Sequence, residues 1–277
     1  MASTIGIISI GQEPSFFAQR YFREILTTVS QAIVGHACYA RIVALSHEQG
    51  SLPETKRAIL EAHGIDAALV VAPSDGFLDP LGEVLQTLPG IIISAPRLDI
   101  PLSYVNSDNY GAMRQIVAHL AGLGHRRIRL LQPDVLTGDY WERARGYIDA
   151  VDSLGLERLI AGIAHPLTEA AIDQQVLADA PDAVIAPSDN DALALLSRLQ
   201  RRGLRVPADI ALVGFDDEDF AAETFPALTT VSQPFAEMAR RAIAYLLDRL
   251  AGIDRGVYHE VLPTRLIVRE SCGAGAR

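Results

Sequence analysis

Along nearly the whole chain, short apolar runs rich in β-branched residues alternate with longer stretches whose apolar residues recur every three or four positions. A period of two suits a strand and a period near 3.6 suits a helix, so the alternation dictates the order of elements. It predicts strands over Thr4–Ile10, Tyr39–Leu45, Asp66–Val71 and Gly90–Ser94, with helices over Phe16–Ile33, Pro53–Ala62 and Leu78–Leu88 between them. The pattern then restarts. Helices are predicted over Asn109–Leu123, Tyr140–Leu154, Thr168–Ala178 and Asp189–Arg202, and strands over Arg127–Gln132, Leu159–Ile163, Ala183–Ala186 and Ile210–Gly214. A Thr-rich strand (Leu228–Ser232), a long helix (Phe235–Leu250) and a last strand (Val261–Val268) follow. Strands separated by helices imply βαβ units, so the predicted fold class is α/β: two similar lobes, each a parallel sheet flanked by helices.

Bulk properties narrow the function. The chain has 277 residues, a net charge of −10 and two cysteines, Cys38 and Cys272, far apart in sequence. No uncharged apolar run is long enough to span a bilayer, and the N-terminus lacks a cationic region followed by a signal-peptide core. A soluble cytoplasmic protein without a disulfide framework is expected, with no membrane partner. Arginine clusters at Arg126, Arg127 and Arg129 and at Arg198, Arg201, Arg202 and Arg205 read as solvated surface rather than a nucleic-acid grip, because acids outnumber bases overall.

The sequence holds no Walker-type phosphate loop, no G-x-G-x-x-G after a strand, no G-x-S-x-G elbow and no H-E-x-x-H pair. No cofactor, metal or catalytic residue is therefore assigned, and the acidic run Asp216–Asp219 lacks the spacing of a calcium loop. In open α/β sheets ligands bind beyond the carboxyl ends of the strands. The polar and aromatic residues at those positions are Glu13, Phe16 and Phe17, then Ser94, then Tyr140, Trp141 and Arg143, then Ser188 and Asp189, then Asp216. Aromatic faces beside carboxylates and an arginine fork suit a sugar or a nucleoside. Phe17 reads equally as core, Trp141 as a groove plug and Asp189 as a helix cap, whereas Asp216 has no evident capping duty.

Five segments, in order, then resemble one family: His119–Ile128 (HLAGLGHRRI), Arg143–Tyr147 (R-x-x-G-Y), Arg202–Ile210 with Val213–Asp217 (VGFDD), Leu228–Pro234 (LTTVSQP) and Val268–Cys272 (VRESC). Together they resemble the lactose-repressor (LacI/GalR-type) transcription regulators over nearly the whole chain. The resemblance implies a periplasmic-binding-protein-like fold, type 1, with three crossovers. Its lobes would be 1–105 plus 233–261 and 106–232 plus 262–277. It implies a homodimer that senses a small polar effector, with a sugar as the first choice, between its lobes. Operator DNA would be read only through a helix-turn-helix headpiece expected to be absent here, since Thr4 already begins the first sensor strand. Arg143 takes the place of the family's ligand arginine and Asp216 that of its ligand carboxylate, and Phe235 lies where the crevice is lined. Ser188 and Ser94 depart from the family's usual amide and carboxylate contacts. The alternatives are a transport-type periplasmic sugar-binding protein and an enzyme on an open α/β sheet.

Overall fold

The computed structural model describes residues 2–10, 20–45, 60–73, 75–95, 99–133, 138–163 and 168–274. The chain forms two compact units: Met1–Ser107 with Thr137–Asp139 and Pro234–Leu262, and Asp108–Leu136 with Tyr140–Gln233 and Pro263–Arg277.

The first unit is a six-stranded sheet built from β1 (Ser3–Ile10), β2 (Cys38–Leu45), β3 (Ala67–Val71), β4 (Gly90–Ile93), β5 (Tyr104–Ser107) and β11 (His259–Leu262). The order is β11-β5-β4-β3-β1-β2 and every pairing is parallel. Both faces are covered, which is why the strands read as unbroken apolar runs. Ile5, Ile7, Leu69, Val71, Ile91 and Ile93 face helices α1 (Arg20–Ala32) and α7 (Phe235–Leu250). Their neighbours in register, Ile8, Ile10, Val70 and Ile92, face α2 (Leu78–Leu85) through Leu78, Leu81 and Val84. Of the helix expected over Pro53–Ala62, residues 53–59 lie outside the described residues, and 60–62 are helical.

The second unit has a four-stranded parallel sheet, β7-β6-β8-β9, made of β6 (Ile128–Pro133), β7 (Leu159–Ile163), β8 (Ala183–Ile185) and β9 (Ala211–Val213). Helices α3 (Asn109–Gly122) and α4 (Gly138–Ser153) cover one face through Met113, Ile116, Tyr147 and Val151. Helix α6 (Asp189–Arg201) covers the other through Leu195, Leu196 and Leu199. Asp108 caps α3 by accepting from the Gly111 amide, and Ser188 caps α6 by accepting from the Asp191 amide.

Two expectations need correction. The strand expected over Val261–Val268 is two strands, because Pro263 supplies no ladder donor. β11 joins the first sheet, while β12 (Arg265–Ile267) pairs antiparallel with β10 (Thr230–Ser232). That pair is an antiparallel element beside two parallel sheets, which strand–helix alternation alone did not indicate. The helix expected over Thr168–Ala178 is one short α turn, α5 (Glu169–Ala171), followed by a π turn over Ile172–Val176. Buried Arg129 on β6 accounts for the break. Its guanidinium donates to the carbonyls of Gln175 (2.9 Å) and Ala178 (2.7 Å) and to Asp179, so the end of the segment bonds to a side chain instead of to the next helical turn.

Several family-like motifs turn out to serve packing. A Cβ on Gly146 of α4 would stand 2.3 Å from the Tyr110 carbonyl oxygen on α3, so only glycine allows these helices to approach so closely. The next residue, Tyr147, is buried. Its hydroxyl donates to the Ile128 carbonyl (2.7 Å) and accepts from the Leu159 amide (2.8 Å), tying β6 to β7. Gly146→Ala is expected to lower stability by about 1–3 kcal/mol through backbone overpacking. Gly122→Ala, at a helical position where an added Cβ meets nothing, should raise it by about 0.5–1 kcal/mol. Urea midpoints of the two variants check both signs.

Candidate functional site

In the second unit, the site is built at the carboxyl ends of the strands. Arg143 comes from the second turn of α4 and is only 6% exposed. Its Nε donates to Asn109 Oδ1 (2.7 Å) and its Nη1 to the Pro187 carbonyl just after β8 (2.8 Å). The guanidinium lies 3.5 Å from the centroid of the Phe215 ring and 4.9 Å from that of Tyr140. Ring faces and neutral oxygens stabilise the cation, and Nη2 has no hydrogen-bond partner among the described residues.

Phe215 is followed by Asp216, so the ring under Arg143 fixes the start of an acidic turn. Asp216 and Asp217 have φ of 108° and 55°, a region that side-chain-bearing residues rarely occupy. Such backbone persists only where the surroundings enforce it. Here the Asp216 amide donates to the Val231 carbonyl (2.9 Å), the Asp217 carboxylate accepts from Arg269 (2.8 Å) and Asp216 Oδ1 accepts from Gln233 (2.7 Å).

Asp189 holds these strand ends together. It is fully buried. Its amide donates to the Phe215 carbonyl, Oδ1 accepts from the Thr230 hydroxyl (2.6 Å) and Oδ2 accepts from the Glu218 amide (2.8 Å). A Cβ on Gly214 would stand 2.1 Å from Asp189 Oδ1, which is why glycine precedes Phe215. Burial pushes the Asp189 carboxyl up to about 7; the Thr230 hydrogen bond opposes this, and the charges of Asp216 and Asp217 reinforce it.

In the first unit, Ala72 and Ser94 follow β3 and β4 with φ of 46° and 57°. Ser94 Oγ accepts from the Tyr21 hydroxyl (3.1 Å), and Tyr21 meets Phe235 edge to face at 4.9 Å. Asn106 on β5 holds the backbone of Ala95 from both sides, accepting from its amide (2.7 Å) and donating to its carbonyl (3.0 Å).

Of the residues singled out from the sequence, Arg143 and Asp216 are brought to adjoining places through Phe215. Ser188 is partly buried and caps α6. Asp189, expected as a cap or a ligand contact, does not cap α6: it is the helix's first residue, and its two oxygens accept from Thr230 and Glu218 inside the fold. Phe235 is 1% exposed and packs in the core of the first unit. Trp141 is 62% exposed on the surface of α4. Tyr140 and Phe215 supply the aromatic planes at the arginine. Glu13, Phe16 and Phe17 lie outside the described residues. Asn109, Phe215, Thr230 and Gln233 had no separate signal in the sequence, because their roles depend on which strand ends adjoin. The arginine clusters are committed to structure: Arg127 pairs with Glu157, Arg129 with Asp179, Arg202 with Glu169 and Asp173, and Arg205 with Asp209.

Asp189 makes stability depend on pH. Its carboxyl rises from the ordinary 3.8 to about 7 on folding, so its contribution is complete below the unfolded value and is lost as pH rises through about 7. The urea midpoint should fall across that window, by at most about 4 kcal/mol of stability. In Asp189→Asn the slope over the same window should flatten.

The family model described as a periplasmic binding protein-like domain matches residues 117–272. The HTH-type transcriptional regulator CelR of Thermobifida fusca is 32% identical over 281 residues, covering 97% of this chain and 81% of that protein. A solved transcriptional regulator CelR–cellobiose complex superposes with a TM-score of 0.85 at 30% identity, covering 98% of this chain and 86% of the other. A LacI family transcriptional regulator from Mycobacterium smegmatis superposes with a TM-score of 0.80 at 26% identity, over 96% of this chain and 98% of that one.

Proposed function

This chain belongs to the LacI-type family of transcriptional regulators, and we propose that it senses a small polyhydroxylated effector, a sugar, with Arg143 and Asp216 as its principal contacts. The observation that carries this reading is the state of Arg143: a buried guanidinium, fixed by Asn109 and Pro187, with Nη2 uncommitted among the described residues. Its rotamer is set before a ligand arrives, so binding costs little side-chain entropy. A ligand hydroxyl at Nη2 forms a charge-assisted hydrogen bond, and the Asp216 carboxylate accepts from a neighbouring hydroxyl. The CelR structure in complex with cellobiose makes glucose disaccharides the first class to try.

The effector acts by preferring one conformation of the regulator over another. A coupling of about 1–3 kcal/mol is typical and shifts operator affinity by about 5–150-fold. Operator binding belongs to a headpiece, and the sensor works as a homodimer in the cytoplasm without catalysing a reaction. The exposed apolar residues Val34, Tyr39 and Ile42, beside and on the edge strand β2, are suitable for the dimer contact. Ile42→Glu should shift the sedimentation profile from dimer to monomer, and an unchanged dimer would move the contact elsewhere.

Calorimetry against a panel of monosaccharides, disaccharides including cellobiose, and nucleosides tests the effector reading. At least one sugar should bind. Arg143→Lys should weaken it about 100-fold or more, because an ammonium cannot keep the Asn109 and Pro187 bonds and also present a planar edge. Asp216→Asn should weaken it about tenfold or more. Undiminished binding in both variants contradicts the assignment.

A further inference from the structure

We propose that the first unit carries a second small-molecule site, separate from the effector residues, that takes a free amino acid with a bulky apolar side chain. A cavity of about 540 Å³ opens between α2, the segment before β5 and the last turn of α7. That volume lies within the ~300–1,000 Å³ of ordinary small-molecule sites. All of its lining residues belong to the first unit. It sits at the amino ends of β4 and β5, marked by Gly90 and Ser103, whereas Ala72 and Ser94 mark the carboxyl ends of β3 and β4.

Its lining combines three chemistries. Leu78, Leu85, Ile100 and Leu102 form an apolar wall. Asp79 and Glu83 stand four residues apart and share one face of α2. Neither carboxylate makes an ion pair or side-chain hydrogen bond among the described residues. Arg249 enters from the last turn of α7. Its Nη1 is 3.4 Å from the Tyr245 hydroxyl, to which it donates, and 3.5 Å from Asp254 Oδ1. Tyr245 is itself held by Ser103 (2.9 Å) and by the Gly256 carbonyl (3.2 Å), so the arginine has a fixed anchor. Nε and Nη2, the edge that grips a carboxylate with two bonds, have no partner among the described residues.

Two uncommitted carboxylates call for an ammonium group, a free guanidinium edge calls for a carboxylate, and a leucine-rich wall calls for an apolar body. A free amino acid such as leucine or phenylalanine carries all three within one small molecule. A neutral sugar offers neither an ammonium to Asp79 and Glu83 nor a carboxylate to the Nε–Nη2 edge of Arg249. Gly82 keeps the space open: a Cβ there meets only Leu102, at 4.0 Å.

Calorimetry on the whole chain with leucine against isoamylamine and isocaproate, and with phenylalanine against phenethylamine and 3-phenylpropionate, tests the proposal. One equivalent of amino acid should bind, and each half-probe, lacking one charged end, should bind at least about tenfold more weakly. Arg249→Gln should abolish the heat. So should Gly82→Leu, which fills the cavity with a better helix former and leaves every charge in place. Arg143→Lys should leave amino-acid binding unchanged, which separates this site from the effector reading. The proposal is overturned if no proteinogenic amino acid gives heat, if either cavity variant binds as the parent does, or if Arg143→Lys removes the binding.

Discussion

The second unit is organised around one buried carboxylate. Asp189 gathers the Phe215 carbonyl and the Glu218 amide from the turn after β9 and the Thr230 hydroxyl from β10. Removing such a group from water is costly unless each lone pair finds a donor, and here both side-chain oxygens do. The consequence is a turn held in backbone conformations that Asp216 and Asp217 would not adopt alone. The acidic turn at Asp216 and Asp217 is therefore held by a buried acidic side chain.

The same economy governs Arg143. A buried guanidinium normally seeks a carboxylate, yet this one rests on the rings of Phe215 and Tyr140 and on two neutral oxygens. Pairing it with an acid would neutralise the charge; leaving it unsupported would cost several kilocalories of desolvation. Ring faces compensate part of the charge without consuming all of the donors. Under the proposed function this is preorganisation: the folded state fixes the guanidinium before a ligand binds.

Much of the fold was legible because both faces of the first sheet are buried and its strands consequently read as unbroken apolar runs. Element boundaries followed caps that the chain spells out, such as Asp108 before α3 and Ser188 before α6. Legibility failed where tertiary contacts override local pattern. Arg129 converts an apolar-periodic segment into a π turn, and Pro263 divides one apolar run between two sheets. At the site, Arg143 and Asp216 were legible as polar residues beyond apolar strands. The burial of Phe235 was not legible, because an aromatic just after a crossover looks the same whether it faces a ligand or a core. The role of Asp189 was not legible, because a carboxylate at a helix start looks like a cap, and only the approach of Thr230 and Glu218 shows the buried hydrogen bonds. Most family-like motifs act as architecture: Gly146 and Gly214 permit close approach, Tyr147 ties two strands, and the Arg126 and Arg127 amides are held by Asp182.

The central claim is that Arg143 presents a prearranged guanidinium edge to a sugar hydroxyl. Nitrogen-15 NMR of the arginine side chains during titration with cellobiose, or with whichever sugar gives heat, reads that edge directly. The account predicts that the Arg143 guanidinium signals are sharp and well dispersed before the sugar is added, and that its Nη2 signal shifts in proportion to saturation. An Arg143 signal that averages like a surface arginine in the free protein, or that stays unmoved while the sugar saturates the chain, would contradict it.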